Sequence, residues 1–221
     1  MKKIAIVGAG TMGQGIIHLT TLAGFKSIWY DVETGILEKG LSAVNKNLQK
    51  AIELGKITPS EKQEALQRIE VTTDIDNLTA DLVIEAVVEN LQVKMKIFEA
   101  LEKINEKEAI FATNTSSIPI AAISSMLKNP EIFIGLHFFN PAFAMKLVEI
   151  VASSTTSDLT IKKIQEFSET IGKTAVLVKD SPGFIVNRVA RPYYTESLKL
   201  LEEKVADINT IDNLLESTGF K

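Results

Sequence analysis

The sequence has no cysteine, which removes disulfides, thiolate metal ligands and a cysteine nucleophile at once. Histidine is almost as scarce, with two in 221 residues, so imidazole chemistry has to run through His18 or His137. Positive charge is not in excess: 24 lysines and arginines face 28 acids, a net charge of −4. No face basic enough to neutralise a nucleic-acid backbone is expected. An anionic ligand must then be held locally, by backbone N–H groups or single lysines. No apolar run approaches membrane-spanning length, and Met1-Lys2-Lys3-Ile4-Ala5-Ile6-Val7-Gly8 is too poor in apolar residues for a signal-peptide core. The expectation is a cytoplasmic protein with no membrane or nucleic-acid partner and no metal site. Hydrophobic residues make up 45% and charged residues 24%, an ordinary globular balance in a chain long enough for a sizeable core.

What is present is an alternation of short β-branched runs with longer amphipathic stretches, the pattern of βαβ units around a parallel sheet. Strands are expected at Lys3–Val7, Ser27–Tyr30, Glu70–Thr72, Leu82–Ala86, Ile110–Thr113, Phe133–Leu136, Lys146–Val151 and Ala175–Val178. Helices are expected to Ala23, over Ile36–Leu54 and Leu91–Ile104, and from about Leu159 to Ile171. Thr58-Pro59-Ser60-Glu61 reads as a capping box with proline at the first helical position, opening a helix to about Arg68. After Ser181-Pro182-Gly183 the pattern is helix alone, at Ile185–Glu203 and Asp207–Glu216. A boundary near residue 182 therefore separates an α/β domain, residues 1–182, from the start of an all-α domain, residues 183–221.

Gly8-Ala9-Gly10-Thr11-Met12-Gly13 follows the first strand and opens a helix. Gly8 permits the tight turn, Gly10 lets backbone approach a pyrophosphate, and Gly13 lets the helix pack on the strand. The N–H groups of the first helical turn, at Thr11, Met12 and Gly13, would face the phosphates. Such a motif alone is weak, since three glycines also serve ordinary tight turns. Here the second strand ends in Asp31, 18 residues past Gly13 (31 − 13). A carboxylate there accepts ribose hydroxyls and repels a 2′-phosphate, and no Lys or Arg follows closely, so NAD is favoured over NADP. Asp31 as a solvated turn residue is the bland alternative.

Several polar residues stand in apolar surroundings. Leu82-Val83-Ile84-Glu85-Ala86-Val87-Val88-Glu89 puts two acids at the end of a buried strand, where open α/β sheets bind ligands. Glu89 could instead cap the helix starting near Leu91, and Lys94 on that helix could simply be solvated. Thr113-Asn114-Thr115-Ser116-Ser117 offers four hydroxyls and an amide, more than the one N-cap that a helix near Pro119 needs. His18 reads as a packed or surface residue of the first helix. His137 directly follows a strand and precedes Phe138-Phe139-Asn140-Pro141. Glu149 lies within Leu147-Val148-Glu149-Ile150-Val151, a buried strand. An unpaired carboxylate there costs several kcal/mol, so it requires a partner. His137 and Arg188 both qualify.

At this point the residues resemble the 3-hydroxyacyl-CoA dehydrogenase family. The likeness is strongest in Asn114-Thr115-Ser116-Ser117, in His137-Phe138-Phe139-Asn140-Pro141 through Met145-Lys146-Leu147-Val148-Glu149, and in Asp180-Ser181-Pro182-Gly183-Phe184-Ile185-Val186-Asn187-Arg188. The resemblance implies a Rossmann-type, mostly parallel sheet with helices on both faces, and hydride transfer between NAD and an acyl-CoA thioester. It assigns His137 and Glu149 as catalytic dyad, with Ser116 and Asn187 as catalytic and substrate-binding residues. It places NAD contacts at Glu89, Lys94 and Asn140. The family's CoA-contacting serine and lysine fall on Asn47 and Leu54, a departure that leaves Lys46, Lys50 and Lys56 as substitutes. Family members continue into a larger helical domain that forms a homodimer. The chain is accordingly read as truncated at Lys221.

Overall fold

A computed structural model of the chain describes residues 1–105 and 109–220. Its strands are β1 Lys3–Val7, β2 Lys26–Tyr30, β3 Ile69–Thr72, β4 Leu82–Glu85, β5 Ile110–Thr113, β6 Phe133–Phe138, β7 Leu147–Ala152 and β8 Thr174–Lys179. The helices are α1 Thr11–Leu22, α2 Thr34–Glu53, α3 Pro59–Gln67, α4 Leu91–Ile104, α5 Ile120–Ser124, α6 Asp158–Thr170, α7 Val186–Glu202 and α8 Ile208–Ser217.

The strands form one eight-stranded sheet in the order β3-β2-β1-β4-β5-β6-β7-β8. From β3 to β6 every pairing is parallel, β6–β7 is antiparallel, and β7–β8 is parallel again. The order reverses between β1 and β4, which is where an open α/β sheet parts its loops to form a crevice. Alternate strand residues serve opposite faces. Ile4, Ile6, Leu82, Ile84, Ile134 and Leu136 share a buried cluster with Ile16 and Ile17 of α1, Leu48 of α2 and Phe167 of α6. On the other face Phe111 and Phe133 pack against Phe98 of α4, with ring centroids 6.0 and 4.7 Å away.

The capping box opens α3 as expected, with Thr58 Oγ1 accepting from the Glu61 N–H and Glu61 accepting from the Thr58 N–H. One boundary differs in a way that matters. His137 does not follow its strand but lies inside it, because β7 returns antiparallel and pairs with β6 as far as Phe138. The chain divides into two compact units, Met1–Pro182 and Gly183–Lys221. The second contains α7, which continues through Pro192, and α8, whose N-cap Asp207 accepts from the Thr210 N–H.

Candidate active site

At the reversal point β1 ends in the glycine-rich turn Gly8-Ala9-Gly10. Gly8 sits at φ +105°, and a Cβ there would come within 2.6 Å of the Ala86 carbonyl oxygen. A Cβ on Gly13 would lie 1.9 Å from the Gly8 oxygen, so only glycine allows α1 to start this close to β1. Around Gly10 nothing lies within 4 Å of a Cβ position, which leaves its backbone open to a ligand. Gly10 supplies no side-chain cap, and the first turn of α1 carries no acid. The N–H groups of that turn, at Thr11, Met12 and Gly13, thus offer a positive helix end to an anion.

Asp31 follows β2 immediately, and its Oδ2 accepts from the Ala9 N–H at 2.8 Å while Oδ1 accepts from the Glu33 N–H at 3.2 Å. The acid thus fastens the glycine turn, and each oxygen keeps a lone pair for a ribose hydroxyl. Trp29, one residue before Tyr30, donates its indole N–H to the Gly8 carbonyl at 3.0 Å. These features fit a dinucleotide: a backbone cradle, a helix end and a ribose acid, in register across two adjacent strands.

Glu85 and Glu89 divide in role. Glu85 is fully buried at the end of β4; its Oε1 accepts from Lys94 Nζ at 2.6 Å and from the Val87 N–H at 2.7 Å. Its Oε2 accepts from Thr113 Oγ1 at 2.7 Å. Glu85 therefore lines no crevice. Glu89 is not the cap of α4 either, since Asn90 Oδ1 accepts from the Val93 N–H. Glu89 Oε1 instead gathers Thr115 Oγ1 at 2.5 Å, the Ser116 N–H at 2.9 Å and the Ser117 N–H at 3.2 Å. Burial alone would raise its pKa, but these hydrogen bonds and the Lys94 charge outweigh it and hold the carboxyl below its ordinary value. Lys94 is not solvated: it is 1% exposed, with Nζ 3.3 Å from Glu89 Oε2.

His137 and Glu149 are directly opposed Cα partners in the antiparallel β6–β7 pair, so their side chains leave the same face of the sheet. His137 Nδ1 and Glu149 Oε2 are 2.7 Å apart, and Glu149 is 1% exposed. This contact answers the demand of the buried carboxylate. Phe139 lies against the imidazole at a centroid distance of 4.5 Å. Asn114 Oδ1 accepts from the Phe138 N–H at 2.9 Å, which ties the end of β5 to β6 beside the histidine.

Asn140 is exposed, in the turn between β6 and β7, and precedes a cis peptide bond to Pro141. That turn is fastened by Lys173, whose Nζ donates to the Ala142 and Met145 carbonyls at 2.5 and 2.6 Å. Nothing in the sequence marks Lys173, which follows a helix-ending glycine like any surface lysine. Lys46, Lys50 and Lys56 are exposed, Asn47 lies on α2 and Leu54 at its C-terminal cap. Asn187 lies on the first turn of α7, in the second unit. Among the described residues no cluster of acids and histidines could hold a metal, and no helix is long and apolar enough to cross a membrane.

The parallel sheet, the glycine turn at its reversal and the acid ending β2 define an NAD-binding domain of the Rossmann type. A family model described as the NAD-binding domain of 3-hydroxyacyl-CoA dehydrogenase matches residues 3–181, and the C-terminal domain of the same family matches residues 183–221. The chain belongs to the 3-hydroxyacyl-CoA dehydrogenase family. It is 41% identical to a 3-hydroxyadipyl-CoA dehydrogenase of Escherichia coli, covering all of this chain and 47% of that protein. It is 40% identical to a 3-hydroxybutyryl-CoA dehydrogenase of Bradyrhizobium diazoefficiens, covering 96% of this chain and 73% of the relative. The crystal structure of (S)-3-hydroxybutyryl-CoA dehydrogenase from Ralstonia eutropha superposes with a TM-score of 0.95 at 37% identity, covering 98% of this chain and 77% of that one. The chain thus spans about half of the first relative and about three quarters of the other two.

Proposed function

We propose that this protein transfers hydride reversibly between C3 of a 3-hydroxyacyl-CoA and NAD, in acyl-CoA metabolism. The observation that carries the reading is the His137–Glu149 pair at 2.7 Å. A buried acid oriented on an imidazole at the ligand-binding end of the sheet suits a general base for an alcohol proton. Bound NAD supplies the hydride acceptor at its nicotinamide ring.

Glu149 accepts the Nδ1–H of His137, which fixes the tautomer and directs the Nε2 lone pair at the 3-hydroxyl. Nε2 takes that proton in the oxidative direction, and Glu149 stabilises the imidazolium that results. Ser116, held through its backbone by Glu89, donates to the reacting oxygen or the thioester carbonyl, where charge develops. Asn187 keeps the substrate-binding role that the family resemblance gives it. Gly8, Gly10 and the first turn of α1 hold the pyrophosphate, Asp31 the adenosine ribose, and Glu89 and Asn140 the nicotinamide side. Lys94, with its ammonium buried, acts on the cofactor through Glu89. We extend the proposal to a cytoplasmic location and to a homodimer, the latter supported by the exposed Val189, Tyr194, Leu198 and Leu201 of α7.

The test is a rate assay with acetoacetyl-CoA and NADH. Turnover should require the CoA thioester and favour NADH over NADPH. His137→Ala should lower it by roughly 10²–10⁴, and Glu149→Gln should lower it with little change in NADH affinity. NADH binding without turnover of any 3-ketoacyl-CoA would make the chain a binding module. A rate independent of CoA would shift the substrate to another alcohol.

A further inference from the structure

Glu85 has no place in the chemistry above, yet it is fully buried and engages three hydrogen-bond partners. A carboxylate buried at the end of β4 is expensive unless every lone pair is used. Its three partners lie in three different segments: Val87 in the turn after β4, Thr113 at the end of β5, and Lys94 on α4. Lys94 in turn faces two acids, with Nζ 2.6 Å from Glu85 and 3.3 Å from Glu89. The unequal distances show how the cation is shared. Glu85 takes the close contact and holds the ammonium back. Glu89 is left at a longer distance, with its Oε1 turned to Thr115, Ser116 and Ser117. Both acids therefore act on one stretch of chain, Glu85 on Thr113 and Glu89 on the residues that follow.

We propose that Glu85 is a positioning residue, which holds Lys94 off Glu89 and so leaves Glu89 free to hold the Ser116 segment in place. Its relevance to catalysis rests on the function proposed above. Without the Glu85 charge, the whole attraction of the buried ammonium falls on Glu89. Glu89 is then drawn toward Lys94, and its bonds to the Ser116 and Ser117 amides loosen. A purely structural ion pair predicts something else: a loss of stability spread over the sheet.

Amide hydrogen exchange in the 221-residue chain separates the two without requiring turnover. In Glu85→Gln, exchange at Ser116 and Ser117 should rise roughly tenfold, about 1.4 kcal/mol of lost protection, while Ile6 in β1 and Ile28 in β2 stay protected. In a Lys94→Met background the Glu85→Gln change should add little at those two amides, since its effect passes through Lys94. Unchanged exchange at Ser116 and Ser117, or a rise matched in β1 and β2, would overturn the proposal. Should Glu85→Gln lose its cooperative unfolding, the uncharged double variant Glu85→Gln/Lys94→Met carries the test. With no ammonium left to draw Glu89 away, it should keep Ser116 and Ser117 as protected as Lys94→Met alone does, and fast exchange there beside a protected β1 would be equally fatal. A wild-type chain with no turnover counts against the functional reading alone.

Discussion

His18 shows how a single side chain can set the pH range of a fold. It lies in the middle of α1, 5% exposed, stacked on Phe143 at a centroid distance of 5.0 Å. Among the described residues its Nδ1 is a buried nitrogen with no hydrogen-bond partner. Burial first, and then the nearby Lys173 charge, push its pKa from 6.5 to about 4. The unfolded chain therefore binds a proton that the folded chain refuses between those two values. Stability from this group is present above pH 6.5 and is lost as pH falls toward 4. The full difference is on the order of 3 kcal/mol. His18→Leu keeps the volume and removes the proton site. Urea unfolding near neutral pH and near pH 4 should show the wild type losing more stability than the variant across that interval. Equal losses would mean that the imidazole is solvated rather than buried neutral.

At the scale of elements, the glycine turn sets two demands that mutation can separate. Gly13 is a packing position, because a methyl there would lie 1.9 Å from the Gly8 carbonyl and push α1 away from β1. Gly10 is an approach position, with nothing within 4 Å of a Cβ. Gly13→Ala should therefore lower both stability and NADH affinity, with an overpacking cost of about 1–3 kcal/mol. Gly10→Ala should leave the melting temperature unchanged and weaken NADH binding alone. A Gly10→Ala protein with normal NADH affinity would move the pyrophosphate elsewhere. This part of the fold was legible because turn, helix start and ribose acid all lie within one βαβ unit, where spacing determines contact. The bounds of α4 and β5 were legible for the same local reason, from periodicity and β-branched content. Apart from the family resemblance, the His137–Glu149 contact was legible only as a need. The buried charge of Glu149 required a partner, but choosing His137 over Arg188 depends on the antiparallel register of β6 and β7, set by the turn over residues 139–146. Lys94 was less legible still. A lysine on an amphipathic helix reads as solvated, and only the arrival of β4 and Glu85 beneath α4 buries it.

At the scale of the whole molecule, the site residues are divided unevenly. Gly8, Gly10, Gly13, Asp31, Glu89, Lys94, Ser116, His137, Asn140 and Glu149 all lie in Met1–Pro182, and Asn187 alone lies in Gly183–Lys221. The main buried cluster, from Ile4 to Ile171, also belongs to the first unit. In the second unit α7 has no buried residue, and Val189, Tyr193, Tyr194 and Leu198 are exposed. Apolar faces of that kind drive association. A polypeptide of residues 1–182 is therefore expected to unfold cooperatively and to self-associate less than the 221-residue chain in light scattering. It should bind NADH within about threefold of that chain's affinity, a difference under 1 kcal/mol, because every cofactor-side residue is retained. Its turnover of acetoacetyl-CoA should fall far below that of the 221-residue chain, since Asn187 is absent. Lost NADH binding would show that the cofactor site depends on residues beyond 182. Undiminished turnover would remove Asn187 from the substrate-binding residues and leave the dyad and Ser116 sufficient.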